Sequence, residues 1–332
     1  MSAAFRYVVS DMDGTLFSPD HVISDYTRDT LKALVHKHGV TLILATGRHY
    51  ADVKVIADNL KQYIWGDDNA TGRAPSPANP SRAPMMYLLT SNGAIAHNAV
   101  THELVFQTCV DPLFVEKLYH HLPDSEEVVN TNVYQQEDWI CRIDWPWTLQ
   151  IYKESGISYR CVPNAPPRSA EPVPSTAPSG WNRGVAVGNY DDISKVFFLS
   201  YDTDRLQSLV SDVEAIAKSC GGTPFSLTFS SFMCLDIMAE GVCKGQALRK
   251  LLEIAVSPKE GRDVVAEALE ASIAFGDGLN DAEMLTEVGK GCVMGNATPK
   301  LMEQHPELEV VLPNSENGVA EKLRTVFGIP AS

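Results

Sequence analysis

The chain has 332 residues, 44% of them hydrophobic, and a formal net charge of −15. That length suits two domains of ordinary size, the acidic balance opposes a general nucleic-acid binder or a protein that adheres to anionic membranes, and no apolar run is long enough to span a bilayer. The seven cysteines are odd in number, scattered and without a Cys-x-x-Cys pair, which points to reduced thiols in a cytosol and not to a disulfide framework or a zinc site.

In chain order, Met1 to Arg6 carries none of the charged, apolar and cleavage regions of a signal peptide, so a cytoplasmic protein is expected. A buried strand is predicted at Tyr7 to Ser10, and Ser24 is placed to cap a helix with apolar positions Leu31, Leu34 and Val35. Strands follow at Thr41 to Ala45 and Met86 to Leu89. From about Ala99 to Ile237 the pattern changes to hairpin-like alternation, a helix at Pro112 to His121 and a strand at Lys195 to Ser200. The first rhythm then returns. A helix from Lys244 precedes a strand at Ser272 to Phe275, a helix near Asp281 and a strand at Gly291 to Met294. A helix near Lys300, a strand at Glu309 to Leu312 and a helix from Val319 complete it.

Strands alternating with helices predict a parallel sheet with right-handed crossovers. The expected fold is therefore α/β, a Rossmann-like parallel-sheet core interrupted by an inserted α+β domain. The core is read at 1–98 and 238–332, and the insert at 99–237. Two stretches, 66–84 and 163–184, hold ten of the chain's 20 prolines and are read as flexible surface insertions.

Four separated pieces carry chemistry. Asp11-Met12-Asp13-Gly14-Thr15 follows the first strand and brings two carboxylates and a glycine turn to the rim of the sheet, where ligands of open α/β sheets sit. Two carboxylates so close repel unless a cation or proton separates them, and Mg²⁺ is the natural oxygen-loving partner. One of them can also act as a nucleophile. Thr46-Gly47-Arg48 follows the second strand, with a hydroxyl and backbone N–H groups suited to a phosphoryl oxygen. Lys244 opens a helix, and Gly276-Asp277-Gly278-Leu279-Asn280-Asp281 follows a late strand. A calcium-binding EF-hand starting at Asp11 would need Glu at position 22, where the chain has Val22.

These motifs, in this order, resemble the haloacid dehalogenase superfamily of phosphohydrolases. The long insert, Ser91-Asn92-Gly93-Ala94 before it, Met294-Gly295-Asn296-Ala297 near the end and Asn317-Gly318-Val319-Ala320 resemble its Cof-type (IIB) branch. The resemblance implies that Asp11 is the nucleophile and Asp13 the general acid/base. It implies that Thr46 and Lys244 hold phosphoryl oxygens, with Gly47, Asn92 and Asn280 at the substrate. Mg²⁺ would be bound by Asp11, Asp277 and the Asp13 backbone carbonyl, with Asp281 completing or orienting the site. The insert would be a cap that closes on substrate and excludes water. Dehalogenases of the superfamily lack an acid at the position of Asp13, since halide leaves without a proton, so Asp13 favours phosphate esters.

The implied activity is Mg²⁺-dependent hydrolysis of a small phosphorylated metabolite such as a sugar phosphate, with no nucleic-acid or membrane partner. Two alternatives stay open, a phosphosugar mutase with the same aspartyl chemistry and a sugar-phosphate-binding regulator without turnover. Whether the protein is a monomer or a homo-oligomer is not legible. Arg48 either belongs to the site or pairs with a nearby acid, and Asn92 and Asn296 are either site residues or turn formers. Trp139, Trp145, Trp147 and Tyr152 are read as packing more readily than as a sugar platform. His97, His102, His120 and His121 are read as surface or packing residues. The segment 257–271 is longer than the family's usual link and is read as an added surface turn.

Overall fold

The structure, a computed structural model, describes residues 5–66, 85–152, 156–168, 184–255 and 263–330. Residues 67–84 and 169–183 of the two proline-rich stretches, residues 256–262 and the side chain of Tyr152 lie outside them.

Strands β1 (Tyr7–Ser10), β2 (Thr41–Ala45) and β3 (Met86–Thr90) are linked by helices α1 (Asp25–Ala33) and α2 (Tyr50–Trp65). A hairpin-like pair, β4 (Ile95–Asn98) and β5 (Leu104–Gln107), follows. The inserted unit holds α3 (Pro112–Tyr119), β6 (Asn130–Gln135), β7 (Asp138–Cys141), β8 (Tyr159–Cys161), β9 (Ile193–Leu199), α4 (Thr203–Ser219), β10 (Phe225–Ser231) and β11 (Cys234–Ala239). The chain then gives α5 (Lys244–Ala255), α6 (Val264–Glu270), β12 (Ser272–Gly276), α7 (Ala282–Glu287), β13 (Lys290–Val293), α8 (Pro299–Gln304), β14 (Glu309–Val310) and α9 (Gly318–Phe327).

Two compact units result, residues 1–106 with 243–332 and residues 107–242. The first break falls later than composition suggested because β4 pairs with β3 and extends the core sheet through β5. The second also falls later, because β11 pairs with β9 of the insert.

The core sheet runs β14-β13-β12-β1-β2-β3-β4-β5. Strands β14 to β3 are parallel, and β4 is antiparallel to β3. The alternation of side chains along a strand divides them between two helical layers. Val8, Leu42, Leu44 and Phe275 pack with Leu31, Val53, Ile56 and Leu323 of α1, α2 and α9. Tyr7, Val9, Ile43 and Ala274 pack with Leu248, Leu251, Leu269, Met284 and Leu301 of α5 to α8. Helix α6 is therefore part of the core, with Ala268 and Leu269 buried, and not merely an added surface turn. The last strand is only Glu309–Val310, two residues shorter than predicted, because it sits at the sheet edge and pairs on one side.

The strand order reverses about β1, which lies between β12 and β2 with all three strands parallel. This is the switch point of the sheet. Ser10 is in register with Leu44 and with Phe275, so Asp11, Thr46 and Asp277 leave the sheet at nearly the same level.

The inserted unit is a six-stranded sheet in the order β10-β11-β9-β6-β7-β8. One face, with Val133, Ile140, Val196, Phe198 and Leu235, packs on Phe114, Leu118, Leu206 and Leu209 of α3 and α4. On the other face Trp139 is buried against Tyr134 and Phe197, and its indole N–H donates to Asn132 Oδ1 at 2.9 Å. Trp139 is therefore a packing residue. Trp145 and Trp147 lie 5.5 Å apart, and Trp147 lies 4.5 Å from the ring of Tyr201. Of the four histidines, His97 stacks on Tyr50, His120 bonds Tyr190, His121 pairs with Asp212 and His102 with Asp58.

Candidate active site

Residues Met12–Leu16 form one wide turn after β1, closed by bonds from Leu16 N to Asp11 O at 3.3 Å and from Phe17 N to Met12 O at 2.9 Å. Such five-residue turns favour functional positions because they break the regular backbone ladder. Gly14 sits in it at φ +72°, and a Cβ there would collide with the Asp277 carboxylate. The glycine is needed both for its backbone angle and for that close approach. Asn296 Nδ2 donates to Gly14 O at 2.7 Å and Asn314 Nδ2 to Phe17 O at 2.8 Å, so the turn is also pinned from the far side. This assigns Asn296 to the support of the loop.

Lys244 is 1% exposed at the first turn of α5. Its Nζ donates to Asp11 Oδ1 at 2.5 Å and to Asp281 Oδ1 at 2.6 Å. Asp281 Oδ2 accepts from the backbone N–H groups of Asp277 and Gly278 at 3.0 and 2.9 Å. Asp281 thus holds the Asp277 loop and the lysine together. Thr15 Oγ1 donates to Asp277 Oδ1 at 2.9 Å.

Oxygens of Asp11, Asp277 and Asp281 lie within 4.8 Å of one another. Among the described residues, the Lys244 ammonium bonds two of these three acids, Asp11 and Asp281, leaving a surplus of negative charge of the size a divalent cation balances. Burial pushes Asp11 well above the usual carboxylate range, Lys244 opposes it, and Asp281, Asp277 and Asp13 add to it. Burial, then the Asp281 charge, raises Asp277 to about 6. Burial works to lower Lys244, but Asp11 and Asp281 outweigh it and raise the ammonium. Carboxyls so crowded that they favour protons are the donor set of a hard cation, and the residues present fit one.

A pH dependence follows for the protein in chelator. Where Asp277 keeps a proton folded and loses it unfolded, the folded state binds more protons and stability falls as pH rises. Between pH 4 and pH 6, with 6 the folded value, thermal melts should register a loss on the order of 2 kcal/mol. Asp277→Asn should remove part of that slope, and a flat wild-type profile would contradict it. Asp13 acts with opposite sign and at lower pH.

Burial pushes Asp13 upward, but hydrogen bonds from His21 and Arg48 and the Arg48 charge outweigh it and bring the carboxyl down to about 2. Arg48 Nε meets Asp13 Oδ2 at 2.6 Å and Nη2 meets Oδ1 at 2.5 Å. Arg48 thus pairs with an acid, and that acid belongs to the site. His21, which the sequence did not single out, brings Nδ1 to 3.3 Å from Asp13 Oδ1. A lone histidine in a surface turn gives no sequence signal for this.

Thr46 is buried, and its Oγ1 accepts from Arg48 N at 3.1 Å. The backbone N–H of Asn92 donates to Thr46 O at 3.0 Å, and Asn280 Nδ2 donates to Asn92 Oδ1 at 3.3 Å. Gly47 lies against Asn92, whose Oδ1 would be 2.9 Å from a Cβ at that position. Ser91 and Asn92 both take left-handed backbone angles, φ +52° and +56°. Two such residues in succession mark a loop bent to present its groups. Of the nine residues proposed from sequence for the site, Asp11, Asp13, Thr46, Gly47, Asn92, Asp277, Asn280 and Asp281 follow the carboxyl ends of β1, β2, β3 and β12, and Lys244 opens α5 and reaches Asp11 and Asp281. Among these contacts, Asp13 stands apart from the three-acid cluster, its carboxylate held by Arg48.

A family model described as haloacid dehalogenase-like hydrolase matches residues 8–66 and 69–323. A protein of Haemophilus influenzae, provisionally named a phosphatase, is 35% identical over 329 residues, covering 99% of each chain. An HMP-PP phosphatase of Cronobacter sakazakii is 28% identical over 315 residues, covering 94% of this chain and 92% of its own. Among solved structures, a sugar phosphatase of HAD subclass IIB shares the fold with a TM-score of 0.66 at 18% identity, covering 98% of this chain and all of that one.

Proposed function

The chain belongs to the haloacid dehalogenase-like hydrolases, in their Cof-type branch, and we propose that it hydrolyses small phosphomonoesters with Mg²⁺ through an aspartyl phosphate on Asp11. Its enzymatic class, phosphoric monoester hydrolase, follows from the family and from relatives named as phosphatases. The observation that carries the mechanism is the ammonium of Lys244 held by Asp11 at 2.5 Å and by Asp281 at 2.6 Å, beside Asp277.

In the first step an oxygen of Asp11 attacks phosphorus and the bond from phosphorus to the leaving oxygen breaks. Asp13 gives its proton to that oxygen. The free site holds Asp13 ionised, but the arriving phosphate adds negative charge nearby and favours its protonation. In the second step Asp13 takes a proton from water, which attacks the aspartyl phosphate, releases inorganic phosphate and restores Asp11. Lys244 balances charge on Asp11 and on the phosphoryl oxygens in both steps. Thr46, Gly47 and the Asn92 side chain orient the phosphoryl group, and Asn280 holds Asn92 through its Oδ1. Asp11, Asp277 and the Asp13 carbonyl would hold the metal, with Asp281 orienting the loop. When bound, Mg²⁺ supplies charge neutralisation between nucleophile and phosphoryl group.

A panel of phosphorylated metabolites assayed for free phosphate tests the substrate class. Sugar phosphates and HMP-PP are the compounds given in the relatives' names. Prolonged treatment with EDTA should stop release and Mg²⁺ alone should restore it. Full activity in chelator would refute the metal requirement. A mutase, in contrast, would move phosphate between positions of a bisphosphate-primed sugar with little free phosphate.

A further inference from the structure

We propose that Arg48, Asp52 and His21 form a positioning clamp for Asp13, and that this clamp sets how well the enzyme expels a leaving group that needs a proton. The inference rests on the reading of Asp13 as the acid/base and assigns no contact between the three residues and substrate.

Asp13 lies in the wide turn after β1 with extended backbone angles, φ −73° and ψ 128°, and its side chain is 38% exposed. A short acidic side chain so placed has several staggered rotamers open to it. Proton transfer needs one of them, within hydrogen-bond reach of the leaving oxygen. Arg48 removes the choice. Its Nε and Nη2 take one Asp13 oxygen each, a fork-on-fork contact that fixes the carboxylate plane. Two bonds allow one oxygen to be released for proton transfer while the other stays held.

Arg48 is itself immobilised. It is 5% exposed, and its remaining terminal nitrogen, Nη1, donates at 2.9 Å to Oδ2 of Asp52, which is fully buried in the first turn of α2. The guanidinium carbon sits 5.1 Å from the centre of the buried Phe17 ring. A buried carboxylate on a rigid helix, behind an arginine that grips a loop carboxylate, is an arrangement that transmits position.

His21 closes the remaining side. Its Nδ1 lies 3.3 Å from Asp13 Oδ1 and 3.5 Å from Arg48 Nη2. The residue takes φ +61°, which a side chain with a Cβ disfavours. Bonds from Ser18 N to Val22 O and from His21 N to Ser18 O, both 2.9 Å, hold the turn in that state. Backbone strain of this kind persists where the surroundings over-determine a placement, and here the placement sets the imidazole against Asp13.

The test compares kcat/KM for two probes. Phenyl phosphate must protonate its leaving oxygen, and 2,4-dinitrophenyl phosphate leaves without a proton. Asp13→Asn is the reference and should cost about 10³-fold on the first probe and less than about tenfold on the second. Arg48→Lys and Asp52→Asn should show the same selectivity at smaller size, about 10- to 100-fold against less than about threefold. His21→Asn, at a half-exposed turn where Asn accepts the left-handed backbone, should lose about three- to tenfold on phenyl phosphate alone. A merely structural role would lower both probes together. Equal losses on both probes, or none, in the three clamp variants would overturn the clamp while Asp13→Asn keeps its selectivity. Equal losses in Asp13→Asn itself would instead overturn the reading of Asp13 as the acid.

Discussion

Asp11→Asn is expected to leave the fold intact and to lower turnover by on the order of 10⁵-fold, as loss of a covalent nucleophile does. The substitution keeps side-chain volume and removes one buried negative charge that Lys244 now shares with Asp281. Because burial and neighbouring acids already raise Asp11, its replacement relieves crowding, and the variant should melt no lower than wild type in chelator. Activity lost with a retained melt separates a chemical role from a structural one. A second readout is independent of steady-state rates. Acid-quenched wild type with a turned-over phosphate ester labelled in its phosphorus should carry acid-stable label, and Asp11→Asn should carry none. Label on Asp11→Asn, or turnover within tenfold of wild type, would remove Asp11 from the nucleophile's place.

The centre of the sheet is legible in the sequence because β1, β2 and β12 are short, largely apolar runs that end in a small residue, Ser10, Ala45 and Gly276. β1, β2 and β12 begin where the pattern placed them, and Ser24 caps α1 by accepting from Thr27 N at 3.1 Å. The convergence of Asp11, Lys244 and Asp277 was also legible, since parallel strands deliver their carboxyl ends to one edge. The reading stopped where side chains choose among partners. Arg48 could have faced phosphate or an acid, and its contacts with Asp13 on one side and the buried Asp52 on the other decide the matter. His21 and Asn314 act through contacts of long sequence separation or unusual backbone angle, which no periodicity announces. Strand β5 falls on the insert side of the predicted boundary because antiparallel alternation is shared by both units, whereas its place beside β4 at the edge of the core sheet is a tertiary fact.

Lys244→Met carries the second large expectation, and it concerns stability as much as rate. The ammonium is the cation that Asp11 and Asp281 share beside Asp277, at 1% exposure. Methionine fills nearly the same space and returns none of the charge, so in chelator near neutral pH the variant should lose about 3–5 kcal/mol, the cost of leaving one side of a buried ion pair without its partner. Two further results follow from the same arithmetic. Mg²⁺ should recover more melting temperature in Lys244→Met than in wild type, because the bound ion relieves a larger charge surplus. Lys244→Met should also cost less when built on Asp11→Asn than on wild type, since one of the two acids it balanced is already neutral. Turnover should fall about 10²–10³-fold even in saturating Mg²⁺, as removal of one preorganised charge contact to a developing oxyanion does. If Lys244→Met melts as wild type does in chelator and the double variant shows no coupling, the ammonium does not neutralise the acids, and the site must balance its charge by proton uptake on Asp11 and Asp277 instead.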